Sequence, residues 1–391
     1  MAYLDHAATT PMLPEAVDRM AELLGQVGNA SSLHASGRRA RRIVEESRES
    51  VAAALGARPS EIVFTSGGTE SDNLAVKGLY WARHDVDPRR DRVLVSAVEH
   101  HAVLDPAIWV AEHGGAELVV VPVDPLGRLT PEALRAAIEE APDRVAMVSA
   151  MWANNEVGTV APVPDLAEVA AEYGVPLHTD AVQAVGSLPV DYAASGAAAL
   201  TVTGHKLGGP VGVGALVLGR DVDCAPLLHG GGQERDVRSG TLDVPAIAAF
   251  AVAVEVAVKA QAERAESLAA LRDDLVRRVR EVVPDAQLNG DPASDVARRL
   301  PGNAHFSFPG CEGDALLMLL DAQGVECSTG SACSAGVARP SHVLIAMGHD
   351  EERAKSSLRF SLGHSSTAHD VDVLVSAIGP AVERARTAAA R

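Results

Sequence analysis

The chain has 391 residues, 47% of them hydrophobic and 22% charged, which marks a folded globular protein long enough for two domains. Its formal net charge of −18 speaks against a broad surface for nucleic acid or for an anionic membrane, and three-percent aromatic content speaks against a base-stacking platform. The start MAYLDHAATT has no leader character and no 18-residue apolar run occurs, so a cytoplasmic location and no membrane contact are expected. The four cysteines, Cys224, Cys311, Cys327 and Cys333, form no CxxC and no Cys/His metal spacing, so thiols are expected, with neither disulfide framework nor metal.

After an extended arm over residues 1–12, strand-like runs alternate with helical ones. Strands are predicted over 61–65, 92–96, 117–121, 144–150, 175–180, 197–202 and 213–218, with helices over 69–81, 101–113, 131–140 and 163–173 between them. The basic cluster Arg38, Arg39, Arg41 and Arg42, interleaved with Glu45, Glu46 and Glu49, reads as a solvated helix face. Such alternation predicts an α/β domain with a large, mostly parallel, seven-stranded sheet. A helical pattern with one break over 246–283 leads into a second part. There strands are predicted near 303–308 and 356–361, helices over 313–323, 341–347 and 368–389, and a loop over 328–340. The expected division is an arm (1–12) packed with the smaller domain, a large domain (13–255) and a smaller α+β domain (256–391).

In open parallel sheets ligands bind beyond the carboxyl ends of the strands, so those ends are where chemistry is sought. After the first comes Ser66-Gly67-Gly68-Thr69-Glu70, a glycine-rich helix start suited to a phosphate. After the others come Glu99-His100-His101, Asn154-Asn155-Glu156, and Asp180 with Gln183 one turn on. The run TVTGHKLGG places Lys206 on a sharp glycine-hugged turn, beside Thr203 and His205. Taken singly, Lys206 could be a surface loop lysine and Asp180 a helix N-cap. Together they are the parts of a pyridoxal 5'-phosphate site: a phosphate cradle, a stackable imidazole, a carboxylate for the pyridine nitrogen, and a Schiff-base lysine. Arg359, an arginine in the apolar run SSLRFSLG, suits a bidentate carboxylate or a structural ion pair. Cys333 lies among Gly, Ser and Ala, residues small enough to let its loop swing.

The chain resembles the cysteine desulfurases of the fold-type I, class V aminotransferase-like group. The likeness is carried in order by YLDHAATTP, TSGGTESDNLAVKG, EHHAVLD, NNEVG, HTDAVQAVG, TGHKLGGPVGVGAL, HGGGQERDVRSGTLDVP, STGSACSAG and SSLRFSLG. It implies that Lys206 forms the Schiff base, Asp180 faces the pyridinium, His100 stacks on the ring and Gln183 faces its phenolic oxygen. Gly68, Thr69, Thr203 and His205 would hold the phosphate, with Thr241 reaching the phosphate of a second subunit in a homodimer. Asn155, beside the cofactor, and Arg359 would hold the substrate carboxylate, and Cys333 would accept sulfur. The implied reaction is L-cysteine to L-alanine with a persulfide on Cys333, passed to an acceptor protein for iron–sulfur assembly or thiolation. A selenocysteine lyase or another class V enzyme is the alternative, and a carrier protein without catalysis a further one. Thr203 stands where many relatives have serine, Asp236-Val237 departs from the usual dimer-edge loop, and the chain ends soon after its last helix.

Overall fold

Runs such as Val145-Ala146-Met147-Val148-Ser149 have no polar face to offer water, and the structure buries them at every position between layers of helices. The structure, a computed structural model, describes residues 1–330 and 340–389. Among these residues the strands are β1 (Ala2–Tyr3), β2 (Ile62–Thr65), β3 (Arg92–Ser96), β4 (Glu117–Val121), β5 (Val145–Ser149) and β6 (Leu177–Asp180). They continue with β7 (Ala199–Thr203), β8 (Gly214–Leu218), β9 (Gln287–Leu288), β10 (Asn303–Ser307), β11 (Val325–Glu326) and β12 (Ser357–Ser361).

Seven of them form one sheet in the order β2-β8-β7-β6-β5-β3-β4, parallel from β7 to β4, with β8 antiparallel to both of its neighbours. The reversal at β8 has a simple cause. A parallel return needs about a dozen residues or more of crossover, and residues 204–213 hold only one tight turn, Gly204–Lys206. Lys206 therefore sits on a hairpin-like connection at the carboxyl end of β7. The helix Gly68–Val86 covers one face, burying Leu74, Ala75 and Leu79 against Val63, Val93 and Leu216.

The long helical pattern becomes two helices, Val244–Lys259 and Gln261–Val282, bent by 69° at the break. Among the described residues no single helix is long and apolar enough to cross a membrane. Beyond the bend a second core gathers Leu275, Phe306, Leu320, Phe360 and Leu374 around the sheet β12-β10-β9. Ala2 and Leu4 of the arm are buried in that same core, and β1 pairs with β11. Helix Pro14–Leu24, unremarked in the pattern, completes the first part. Arg38, Arg39, Arg41 and Arg42 are all exposed on the helix Ala35–Ala54.

That helix also carries Arg48, which is buried. It donates from Nη1 and Nη2 to the Glu234 carboxylate at 2.8 and 2.6 Å, and Glu234 Oε2 also accepts from Phe64 N at 2.7 Å. Glu234, Arg235 and Asp236 hold φ of 45°, 59° and 61°, a left-handed run that costs about 1–2 kcal/mol per residue without glycine. The anchoring of Glu234 offsets that cost and explains how Asp236 and Val237 fit. Glu234→Ala, which strands the buried guanidinium, is expected to lower stability by about 3 kcal/mol. Chemical denaturation should show it as a lower midpoint at constant slope; a midpoint unchanged within error would overturn this account.

Candidate active site

The strand ends converge on a cavity of about 360 Å³. Gly68, Thr69, His100, Asn155, Asp180, Gln183, Thr203, His205, Lys206 and Arg359 all line it. Thr241 does not line this cavity and is exposed, and Cys333 lies outside the described residues.

At one end the helix Gly68–Val86 opens toward the cavity. Its N-cap is Gly67, at φ 141°, which offers no side chain to occupy the first N–H groups. A Cβ on Gly68 would stand 3.2 Å from Val182 Cγ2 and 3.7 Å from Thr203 Cβ, so the backbone approaches the wall as only glycine comfortably allows. Uncapped N–H groups and the positive helix end make a ready anion cradle.

Asp180 ends β6 and is buried, with Val182 N donating to its Oδ1 at 2.9 Å. Burial pushes its carboxyl up to about 6. Asp72 and Glu99 lie nearby, both buried; Glu99 Oε1 accepts from Met151 N at 2.6 Å, while Asp72 Oδ1 and Glu99 Oε2 have no hydrogen-bond partner among the described residues. Burial, reinforced by the charge of Asp180, drives Asp72 well above the carboxylate range and Glu99 up to about 8. The three cannot all ionise together, and the shifts leave Asp180 as the anion at neutral pH. His178 packs below, its ring nitrogens 2.9 Å from Ser149 Oγ and 3.0 Å from Thr201 Oγ1; burial pushes it down to about 3, so it is neutral.

Lys206 Nζ donates to the carbonyls of Ala7 and Ala8 in the arm. Desolvation, with Arg359 nearby, lowers its pKa to about 8 against the pull of Asp5 and Asp180. His100 caps the helix His101–His113, its Nδ1 accepting from Ala102 N at 3.1 Å. Crowding by protein and then the Lys206 charge push its imidazole down to about 4, so it is neutral. Gln183 Nε2 donates to Ala7 O at 2.9 Å, and His205 Nδ1 lies 3.3 Å from Thr9 Oγ1.

Arg359 is buried on β12, with Nη1 donating to the Asn155 carbonyl at 3.0 Å and Nη2 to Asp5 Oδ1 at 2.7 Å. The sequence offered both a carboxylate fork and an ion pair for this arginine; an ion pair is present, and one nitrogen, Nε, has no partner among the described residues. Asn154, next to Asn155, is absorbed by its own turn: its Oδ1 accepts from Glu156 N and Val157 N. Sequence reading passed over Asp5, Asp72 and His178. Asp72 left a signal, a charged residue on the inward face of a helix; Asp5 left none, because its partner lies 354 positions away.

Buried ionisable groups on strand ends, facing an uncapped helix start, define a group-transfer site of an α/β enzyme. Residues 2–374 match the family described as Aminotransferase class-V, and the chain belongs to that family. Within it the chain sits with the cysteine desulfurases. It is 59% identical over 389 residues to the "IscS-like cysteine desulfurase" of Mycobacterium tuberculosis, covering 100% of this chain and 98% of that one. A solved "NIFS-LIKE PROTEIN" superposes with TM-score 0.88 at 33% identity, covering 98% of this chain and 100% of that chain. "SspA in complex with cysteine" superposes at TM-score 0.78 and 31% identity, covering 93% and 99%. The architecture is thus the α/β fold-type I seen in such neighbours.

Proposed function

We propose that the chain is a pyridoxal 5'-phosphate-dependent cysteine desulfurase that turns L-cysteine into L-alanine and leaves sulfur on Cys333 as a persulfide. The observation that carries this reading is Asp180 and Lys206 in one cavity with the glycine-edged helix start, each with its pKa moved toward the role it needs. The residues fit the cofactor. Gly68, Thr69, Thr203 and His205 would hold its phosphate, Asp180 its ring nitrogen, Gln183 and His100 its ring, with Asn155 alongside, and Lys206 its aldehyde carbon. When bound, the cofactor supplies an electron sink for the substrate's α-carbon.

The chain's own groups do the rest. Arg359 orients the substrate carboxylate through its fork, and the Asn155 carbonyl holds that guanidinium still. Lys206, whose amine is half neutral near pH 8, takes the proton from the α-carbon. His100, neutral at pH 7, accepts or returns a proton at the thiol. The Cys333 thiolate then attacks the substrate sulfur. An S–S bond forms, the Cβ–S bond breaks with its electron pair left on carbon, and protonation there, followed by return of the α-proton from Lys206, completes alanine. The three described cysteines suit this step poorly, which supports Cys333: burial pushes Cys224 and Cys327 up to about 12 and also raises Cys311.

The proposal includes two domains, 13–255 and 256–391, in a cytoplasmic homodimer in which Thr241 completes the partner's phosphate site, and an acceptor protein that receives sulfur for iron–sulfur assembly or thiolation. Its exposure away from this chain's own cavity supports that place for Thr241.

The test measures alanine and sulfide from L-cysteine beside selenide from selenocysteine and keto acid from other amino acids. Equimolar alanine and sulfur from L-cysteine supports the proposal; turnover confined to selenocysteine or to transamination overturns it. A pH experiment addresses Lys206 alone. Burial depresses this amine, so its neutral form accumulates up to about pH 8 and not up to its ordinary value of 10.5. Loading of the apoprotein with pyridoxal phosphate should quicken about tenfold per pH unit below 8 and level off above it. A rate still climbing at that slope past pH 9 would contradict the depressed amine.

A further inference from the structure

Arg359 already has an anionic partner, and the arm's backbone puts it there. Ser361 N donates to Leu4 O at 2.7 Å and His6 N to Ser361 O at 3.3 Å, so the arm runs beside β12 with Asp5 opposite Ser361. That register delivers Asp5 Oδ1 to Arg359 Nη2 at 2.7 Å, with the arginine side chain 4% exposed and the aspartate 23%. On the same guanidinium Nε is buried and has no hydrogen-bond partner among the described residues, and Arg359 lines the cavity. One cation thus carries one resident carboxylate and one donor nitrogen, Nε, that is still unused.

We propose that Asp5 is an internal competitor for the substrate carboxylate, an affinity-setting residue that holds Arg359 in place when the site is empty and weakens the grip on amino acids when it is full. This rests on the reading of Arg359 as the substrate-carboxylate site. A carboxylate arriving at Nε meets a guanidinium whose neighbouring Nη2 is already engaged. Two carboxylates on one cation repel, so the incoming one binds less tightly than it would to a free fork, or Asp5 loosens. Asp5 is the more exposed partner and the one with water at hand to replace the contact. The consequence is a site that binds its small amino acid moderately and releases alanine readily. Asp5 also acts on Lys206, whose charge it favours, so ligand affinity is the cleaner readout than turnover.

The experiment titrates the holoenzyme with L-alanine by calorimetry, since alanine has the substrate's carboxylate and amine without its thiol, and determines KM for L-cysteine in parallel. Asp5→Asn, which keeps the shape and removes the charge, should bind L-alanine about five-fold tighter and lower KM by a similar factor, the size of one like-charge neighbour in a partly exposed site. Asp5→Glu, which keeps the charge, should bind no tighter than the wild type. Arg359→Lys should bind at least about ten-fold more weakly, because an ammonium cannot reproduce the fork. If Asp5→Asn binds alanine as the wild type does, or if both Asp5 variants bind it more weakly, Asp5 only anchors the arm and the proposal is overturned. If Arg359→Lys binds like the wild type, the reading of Arg359 fails, and the role of Asp5 with it.

Discussion

Replacing Lys206 by alanine is expected to remove L-cysteine turnover, with a fall of at least about 10⁴-fold. Two functions disappear with one side chain: the covalent anchor for the cofactor aldehyde and the base within reach of the substrate's α-proton. No neighbour can stand in. His100 is pushed down to about 4 and His205 to about 4, which makes both weak bases, and Arg359 is held by Asp5 and the Asn155 carbonyl. The rest of the cavity should survive, because among the described residues the Lys206 amine makes hydrogen bonds to two arm carbonyls and not to the helix start or to Asp180. The variant should therefore still bind pyridoxal phosphate non-covalently through the helix start at Gly68, seen by equilibrium dialysis, while the absorption that requires a bond to lysine is absent. Sulfide and alanine release at even a tenth of the wild-type rate would remove Lys206 from its assigned role.

Cys333→Ser is the second large effect. The serine hydroxyl cannot serve as a sulfur acceptor, so persulfide should be absent and nearly all sulfide release lost, while the cofactor's visible absorbance and its response to L-cysteine persist. Mass spectrometry of the wild type after L-cysteine should show an adduct of about 32 Da, one sulfur atom, on Cys333. Cys327 is the cysteine to watch. It follows β11, is half-buried, and its thiol is pushed up to about 12 by burial, with the Asp5 charge adding to it, so it carries almost no thiolate at neutral pH. An adduct on Cys327, or alanine release by the serine variant at the wild-type rate, would reassign the acceptor.

The amino-acid sequence alone determined most of the scaffold, for a local reason. Buried parallel strands read as short apolar runs, and β3 and β4 fall at the residues predicted; the other predicted strands end within two residues of expectation, where fraying and turn chemistry blur the signal, and the two-residue strands β1, β9 and β11 were not predicted. The strand-end residues were legible because each is a polar interruption of an apolar stretch, Asp180 after VPLHT and Lys206 between glycines. The bend between Val244–Lys259 and Gln261–Val282 was legible as a break, its angle was not.

Tertiary structure decided what depends on distance along the chain. The antiparallel place of β8 comes from a link too short to cross over, and the three left-handed residues from Glu234 stand only because Arg48 and Phe64 N hold that carboxylate. Which of three crowded carboxyls stays ionised follows from their mutual burial: Asp72 and Glu99 each keep one buried oxygen without a partner among the described residues and feel the charge of Asp180, whereas Asp180 has Val182 N and the charge of Lys206. Arg359 read from sequence as an arginine awaiting a carboxylate. Only the fold, by running residues 4–6 alongside β12, showed that one is already there, because no pattern within a window of sequence can place Asp5 against a residue near the other end of the chain.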